Sequence, residues 1–266
     1  MRKLSIILVL AIAVYGCSQG KYSATNKAYK KQAKAFAKVI SRYPLKDSAA
    51  NTDYVGTTNF SMRKPNFVII HHTAQNSCEQ TLKTFTLTRT QVSAHYVVCR
   101  DGVVHHMLSD YLRAHQAGVS KWGNATDINS LSIGIEIDNN GFEPFSEAQI
   151  TGLLDLLGRL KRAYNIPAAN FIGHADIAPG RKVDPSRYFP WQRLAQQGYG
   201  LWYDTATVTV PEHFDPYQAL RIIGYDIKKP EAALQSFKIH FVSTDSSKVI
   251  TNGEKKILYD LSRKYQ

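Results

Sequence analysis

The sequence predicts an α/β domain, a mixed central β-sheet flanked by helices, followed by a small domain of three helices. Three observations carry this reading. Phe67, Val68, Ile69 and Ile70 form a continuous apolar run rich in β-branched residues, as a fully buried strand requires. Residues 131–138 alternate instead: Ile133, Ile135 and Ile137 share one face, and Ser132, Gly134, Glu136 and Asp138 share the other. Ser146-Glu147-Ala148-Gln149 reads as a capping box. It opens a helix with Ile150, Leu153, Leu154, Leu157, Leu160 and Tyr164 on one side, closed by Asn165 and Pro167.

Taken in order, the chain begins with Arg2 and Lys3, then an apolar run from Leu4 to Tyr15 that is too short to cross a bilayer as a helix. The run ends in Gly16-Cys17 and continues as polar Ser18-Gln19-Gly20. This resembles a bacterial lipoprotein signal, a small residue before a Cys and a polar tail after it, with Tyr15 departing from the usual small residue. Residues 1–17 are then a signal segment and Cys17 a lipidation site. The alternative is an ordinary signal peptide cleaved nearby. Residues 18–58 form a basic helix and linker, with Tyr29, Ala33, Phe36, Ala37 and Ile40 near helical spacing.

Net charge is +12, which invites a nucleic-acid reading. Its distribution argues against one. Residues 18–50 hold eight Lys or Arg against one Asp, and the remainder is close to balanced. A basic stalk beside anionic headgroups or wall polymer fits that placement, and no nucleic-acid partner is expected.

A first domain is expected over 59–200. After the apolar run, residues 78–88 have helical spacing. Residues 94–99 and 103–108 flank Arg100-Asp101-Gly102, a hairpin signal. Phe171-Ile172-Gly173 reads as the end of a short buried strand, and residues 191–210 as a connector. Over 211–266, three helices are expected: one closed by Gly224, one started by Pro230, and one capped at Thr251-Asn252-Gly253-Glu254. Cys78 and Cys99 are compatible with a disulfide, and Cys99 equally with a buried thiol.

The candidate chemistry gathers where strands end. His174 follows Phe171-Ile172-Gly173 and precedes a segment with Pro179, Gly180, Lys182, Asp184 and Pro185, expected to be loop. A neutral His, a carboxylate and one further His would make an open zinc site with a place for water. The further His is in His71-His72, of which only one can face a given site, since adjacent strand residues point oppositely. Glu136, a carboxylate in mid-strand among isoleucines, is costly unless paired or lining a wet cavity, as a general base does.

Five segments in order resemble the zinc-dependent N-acetylmuramoyl-L-alanine amidase family, whose fold is shared with peptidoglycan recognition proteins. They are Val68-Ile69-Ile70-His71-His72-Thr73-Ala74, Ser93-Ala94-His95-Tyr96, His115-Gln116-Ala117-Gly118-Val119-Ser120-Lys121-Trp122, Ser132-Ile133-Gly134-Ile135-Glu136, and the segment 174–185. The resemblance spans about 66–191 and selects His71 over His72. It implies one zinc ion held by His71, His174 and Asp184, Glu136 as general acid and base, and Lys182 as oxyanion stabiliser. It implies hydrolysis of the amide between N-acetylmuramic acid and L-alanine in peptidoglycan or muropeptides, for wall turnover or recycling. His115 and Trp122 are candidate groove residues for sugar or stem peptide, with a structural role the alternative for both. Arg181 is a candidate partner for a stem-peptide carboxylate. The last three helices resemble a small peptidoglycan-binding module, though its usual Asp-Gly loop is not evident, and a structural cap is the competing reading.

The same fold occurs in receptors that hold peptidoglycan without cutting it. His71, His174, Asp184 and Glu136 together favour the enzyme. The expected setting is the cell envelope, with a lipid anchor at Cys17 on the periplasmic side of an outer membrane. No signal for oligomerisation is present, and a monomer is expected.

Overall fold

The structure, a computed structural model, describes residues 20–41 and 57–266. The expected signal segment and its Cys17 lie outside the described residues. The chain divides into two compact units, Met1–Phe60 and Ser61–Gln266. In the first, α1 (Ser23–Ser41) forms where the helical spacing was read, and none of its residues is buried. Among the described residues no helix is long and apolar enough to cross a membrane.

The second unit is built on a five-stranded sheet. Its strands are β1 (Phe67–His72), β2 (Tyr96–Val98), β3 (Val104–His106), β4 (Ser132–Ile137) and β5 (Phe171–Gly173). Their order is β3-β2-β4-β1-β5, and every pairing is parallel except the hairpin β2–β3. The sheet is therefore mixed, with β4 at its centre and the long apolar run of β1 an interior strand between β4 and β5. The helices that follow α1 are α2 (Cys78–Thr86), α3 (Ile128–Leu131), α4 (Glu147–Tyr164), α5 (His174–Ile177), α6 (Trp191–Gln196), α7 (Pro216–Ile223), α8 (Pro230–Phe241) and α9 (Asn252–Lys264). Cys78 and Cys99 form a disulfide with Cα atoms 5.3 Å apart, which ties the start of α2 to the end of β2.

Strand parity divides the core. On one face Val68, Ile70, Ile133, Ile135 and Ile137 pack against Ile150, Leu153, Leu157 and Leu160 of α4. The capping box that starts α4 is present, with Ser146 and Gln149 each satisfying the other's backbone N–H. On the opposite face Ile69 and Ile172 pack with Leu220, Leu234, Phe237 and Leu258 from the last three helices. Each such side chain, fully removed from water, contributes about 1.5–3 kcal/mol. The three C-terminal helices form as read, with Pro216 and Pro230 in their first turns and a capping box at Thr251 and Glu254. They share a core with the sheet and belong to the same compact unit. Gly224 closes α7 at φ +132°, and a Cβ there would lie 2.5 Å from the Trp122 ring.

One local expectation is corrected. The segment after β5 does not start as loop: His174 opens α5, a single helical turn. Pro179 lies beyond that turn, and the Asp176 carboxylate accepts the Gly173 N–H at 2.7 Å, supplying the cap a short helix needs. Residues 191–210, read as connector, also begin with a helix, α6.

Candidate active site

The site sits at the C-terminal ends of the parallel strands. Ile69 lies on the face covered by the C-terminal helices, so His71, two residues on, projects to that side too. The register pairs His71 with Glu136, which sets the imidazole and the carboxylate side by side. β5 ends at Gly173, and His174 emerges beside them. Asp184 returns on the chain after α5, its backbone O accepting from Ala175 N–H at 2.7 Å.

His71 Nδ1 lies 3.0 Å from His174 Nδ1, and the two nitrogens lie 2.9 and 3.0 Å from Asp184 Oδ2. The protons can be placed by following the bonds outward. Ser132 Oγ donates to Ile128 O at 2.7 Å, so it accepts from Gln116 Nε2 at 2.8 Å. That orients the amide with Oε1 facing His71 Nε2, 2.6 Å away, and makes this nitrogen the donor. His174 Nε2 donates to Ala117 O at 3.1 Å, a carbonyl that can only accept. Both Nδ1 atoms are left with lone pairs, turned toward each other and toward a carboxylate oxygen. A single proton bridges one pair and leaves the third atom facing it. A cation held by all three atoms would answer them together, and two imidazoles with one carboxylate are donors suited to a divalent metal. Cys78, Cys99 and His105 also cluster, but as a disulfide beside an imidazole they have no thiol to offer.

Electrostatics agree with this arrangement. Burial and the adjacent His71 push His174 down to about 4, so it is neutral as a ligand must be. Burial would raise Asp184, but hydrogen bonds to His174 and His71 hold it well below the usual carboxylate range. Burial pulls His71 down, and the carboxylates of Glu136 and Asp184 outweigh it, so its net direction is up. The cluster thus draws in positive charge. Glu136 is pushed up to about 6 by burial, with Asp184 adding and His71 and Lys182 opposing. Its Oε2 is buried and has no hydrogen-bond partner among the described residues. A carboxylate oxygen left without a donor is chemically able to accept a proton from a water.

The family described as N-acetylmuramoyl-L-alanine amidase matches residues 61–187. N-acetylmuramoyl-L-alanine amidase AmiD of Escherichia coli is 35% identical over 219 residues, covering 70% of this chain and 76% of that protein. The chain belongs to the N-acetylmuramoyl-L-alanine amidase family. Two solved structures extend the likeness. The complex of Escherichia coli AmiD with anhydro-N-acetylmuramic acid-L-Ala-D-γ-Glu-L-Lys superposes with a TM-score of 0.69 at 30% identity, over 83% of this chain and 97% of that one. AmpDh3 from Pseudomonas aeruginosa gives 0.70 at 28% identity, over 81% and 98%. The chain is therefore an enzyme, hydrolysing the amide between N-acetylmuramic acid and the L-alanine of the stem peptide.

Within the amidase the remaining candidates separate. Lys182 is half-buried, close enough to Glu136 and His72 to bear on both electrostatically. His115 is exposed. Trp122 does not line a groove. It is 7% exposed, with its ring against Tyr225 and Tyr265, because Gly224 leaves room for it in the seam with the C-terminal helices. Arg181 is exposed and braces a neighbouring turn. Its Nη2 donates to Ala117 O at 2.8 Å and Val119 O at 2.6 Å, clamping the turn whose Ala117 carbonyl holds His174. His72 points to the other side, where Nδ1 accepts from Ser186 N–H at 3.0 Å.

Gln116, Asp176, Tyr225 and His240 were not singled out by the sequence reading. One signal pointed to Gln116. Gly134 interrupts a strand of isoleucines, and a Cβ there would meet Gln116 Cγ at 2.5 Å, so the glycine marks where the glutamine crosses to reach His71.

Proposed function

We propose that this amidase is a zinc enzyme in which His71, His174 and Asp184 hold the ion, Glu136 moves the proton and Lys182 meets the developing oxyanion. The observation that carries this is the triangle of three lone-pair atoms with about 3 Å edges beside an unpartnered buried carboxylate oxygen. Bound there, zinc would supply a Lewis acid that brings the pKa of a water near neutrality. Glu136 takes a proton from the attacking water as its oxygen bonds to the lactyl carbonyl carbon. The same carboxyl then gives that proton to the alanine nitrogen as the C–N bond breaks, leaving a free acid on the sugar and a free amine on the peptide. The ammonium of Lys182 balances negative charge on the carbonyl oxygen.

The substrate class proposed is a muropeptide, anhydro-muropeptides included, supported by the substrate in the AmiD complex. The test is incubation with defined muropeptides, with and without a chelator, followed by mass spectrometry. Free stem peptide that disappears with chelator and returns with zinc is the expected result. Intact muropeptides with folded, zinc-loaded protein would sink this reading.

A lipid on Cys17, and with it a place on the periplasmic side of an outer membrane, is proposed on the sequence from Leu4 to Gly20 alone. In bacteria expressing the chain, Cys17→Ser should move it from the membrane to the soluble fraction. Unchanged fractionation would count against the anchor. The amidase is proposed to act as a monomer.

A further inference from the structure

The turn that carries His174 is held by a buried carboxylate for which the chemistry has no use. Asp176 is 1% exposed. Its Oδ2 accepts from Gly173 N–H at 2.7 Å and from His240 Nδ1 at 2.7 Å, and its Oδ1 accepts from the Tyr225 hydroxyl at 2.6 Å. One donor belongs to the turn itself. The other two come from the C-terminal helical segment, Tyr225 just after α7 and His240 within α8. A buried carboxylate is costly unless its lone pairs are met, so α5 closes in this shape only with those helices docked.

The donors are themselves fixed. The His240 ring stacks between Trp191 and Phe241, with centroids 3.9 and 4.0 Å away, which fixes its plane, and the bond to Asp176 favours the rotamer that turns Nδ1 to the carboxylate. Tyr225 is buried at 2% exposure against the Trp122 ring. At the strand end, a Cβ on Gly173 would fall 2.9 Å from Pro185 Cδ and 3.1 Å from Trp191. The backbone entering His174 is thus wedged between those rings and Asp176. The same turn donates Ala175 N–H to the backbone of Asp184, so displacing it moves two of the three converging side chains.

We infer that Tyr225 and His240 are positioning residues for the metal centre: through Asp176 they seat the His174 turn and, with it, Asp184. This rests on reading His71, His174 and Asp184 as metal ligands. It makes the C-terminal helices part of that centre's scaffold, not a detachable appendage.

The test uses the full chain. Tyr225→Phe and His240→Phe each delete one donor and keep a ring in place. His240→Asn restores an N–H near the Nδ1 position. Leu258→Ala disturbs the same helical core from α9, which carries neither donor. Zinc affinity is read by competition with a chromophoric chelator, the visible absorption of the Co²⁺-loaded protein reports ligand geometry, and thermal unfolding reports stability. The two donor deletions should each weaken zinc binding about tenfold or more and shift the cobalt band. His240→Asn should recover most of the loss. Leu258→Ala should lower the melting temperature and leave affinity and band unchanged. If His240→Phe does not fold, Tyr225→Phe decides the outcome. Wild-type affinity and band in the donor deletions would overturn the inference, as would equal weakening in Leu258→Ala. A wild-type chain that binds no zinc would remove the ligand reading itself, and this inference with it.

Discussion

Glu136→Gln should cost the amidase about 10²–10⁴-fold in kcat, the usual worth of a positioned general base, while making the metal-free protein more stable at neutral pH. Both effects follow from one observation, a buried carboxyl with one oxygen unpartnered. Its pKa rises from 4.5 to about 6, chiefly through burial. A carboxyl raised in the folded state binds its proton more tightly there than in the unfolded chain. Stability is therefore lost as pH climbs from about 4.5 through about 6, by about 2 kcal/mol in all. Glutamine carries no charge and does not pay this cost, so its gain should be full at pH 7 and shrink toward zero below about pH 4.5. Denaturant titrations of chelated protein at several pH values read this directly. In the metal-loaded enzyme a dication favours the carboxylate, so the acid limb of kcat/KM should lie at or below about pH 6 and vanish in the variant. Near-normal turnover by Glu136→Gln would remove Glu136 from the mechanism.

Asp184→Ala should have an effect on rate of comparable size. It deletes the single anionic corner of the triangle and leaves two imidazole lone pairs 3.0 Å apart. Zinc content should fall from one per chain to near none. Losing a Lewis acid worth several kcal/mol of transition-state stabilisation lowers turnover by on the order of 10³-fold or more. Thermal unfolding supplies a second reading. Wild-type protein at a thousandfold excess of zinc over its Kd gains about 4 kcal/mol, which a chelator abolishes, whereas the variant should melt at the same temperature with or without chelator. A variant that keeps stoichiometric zinc and wild-type rates would show that the ion, if needed, is held elsewhere.

Much of this was legible in the chain because it depends on local pattern. The period of two placed Glu136 opposite the isoleucines of β4, and the apolar run placed His71 and His72 at a strand end. Parity alone left those two histidines equivalent; the family resemblance chose His71, and in the structure the identity of each face, set by which helices cover it, separates them. The last three helices were legible from Pro216, Pro230, Gly224 and the Thr251 cap, since caps and breakers act within a few residues. Their docking was not. Phe237 and Leu258 look the same in sequence whether they close a separate small core or cover Ile69 and Ile172. For the same reason Trp122 read as a candidate groove residue, and Asp176, Tyr225 and His240 gave no signal at all. Their partners are 49 and 64 residues away in the chain, and no periodicity connects them.

The pairing of His71 with Glu136 also has a consequence for how such a protein can change. Adjacent parallel strands act as a ruler, and side chains alternate along them with a period of two. Inserting or deleting one residue inside β4 would turn Glu136 into the apolar layer beneath α4 and present an isoleucine to the histidines. The segments that follow the strands, residues 73–77 and 139–145, carry no such ratchet. In directed evolution, a library that varies their length and composition should yield active members with altered substrate choice. A library that shifts the frame within β1 or β4 should yield folded but inert ones. What the enzyme cuts can drift with its loops, while the ability to cut is held by the register of two six-residue strands.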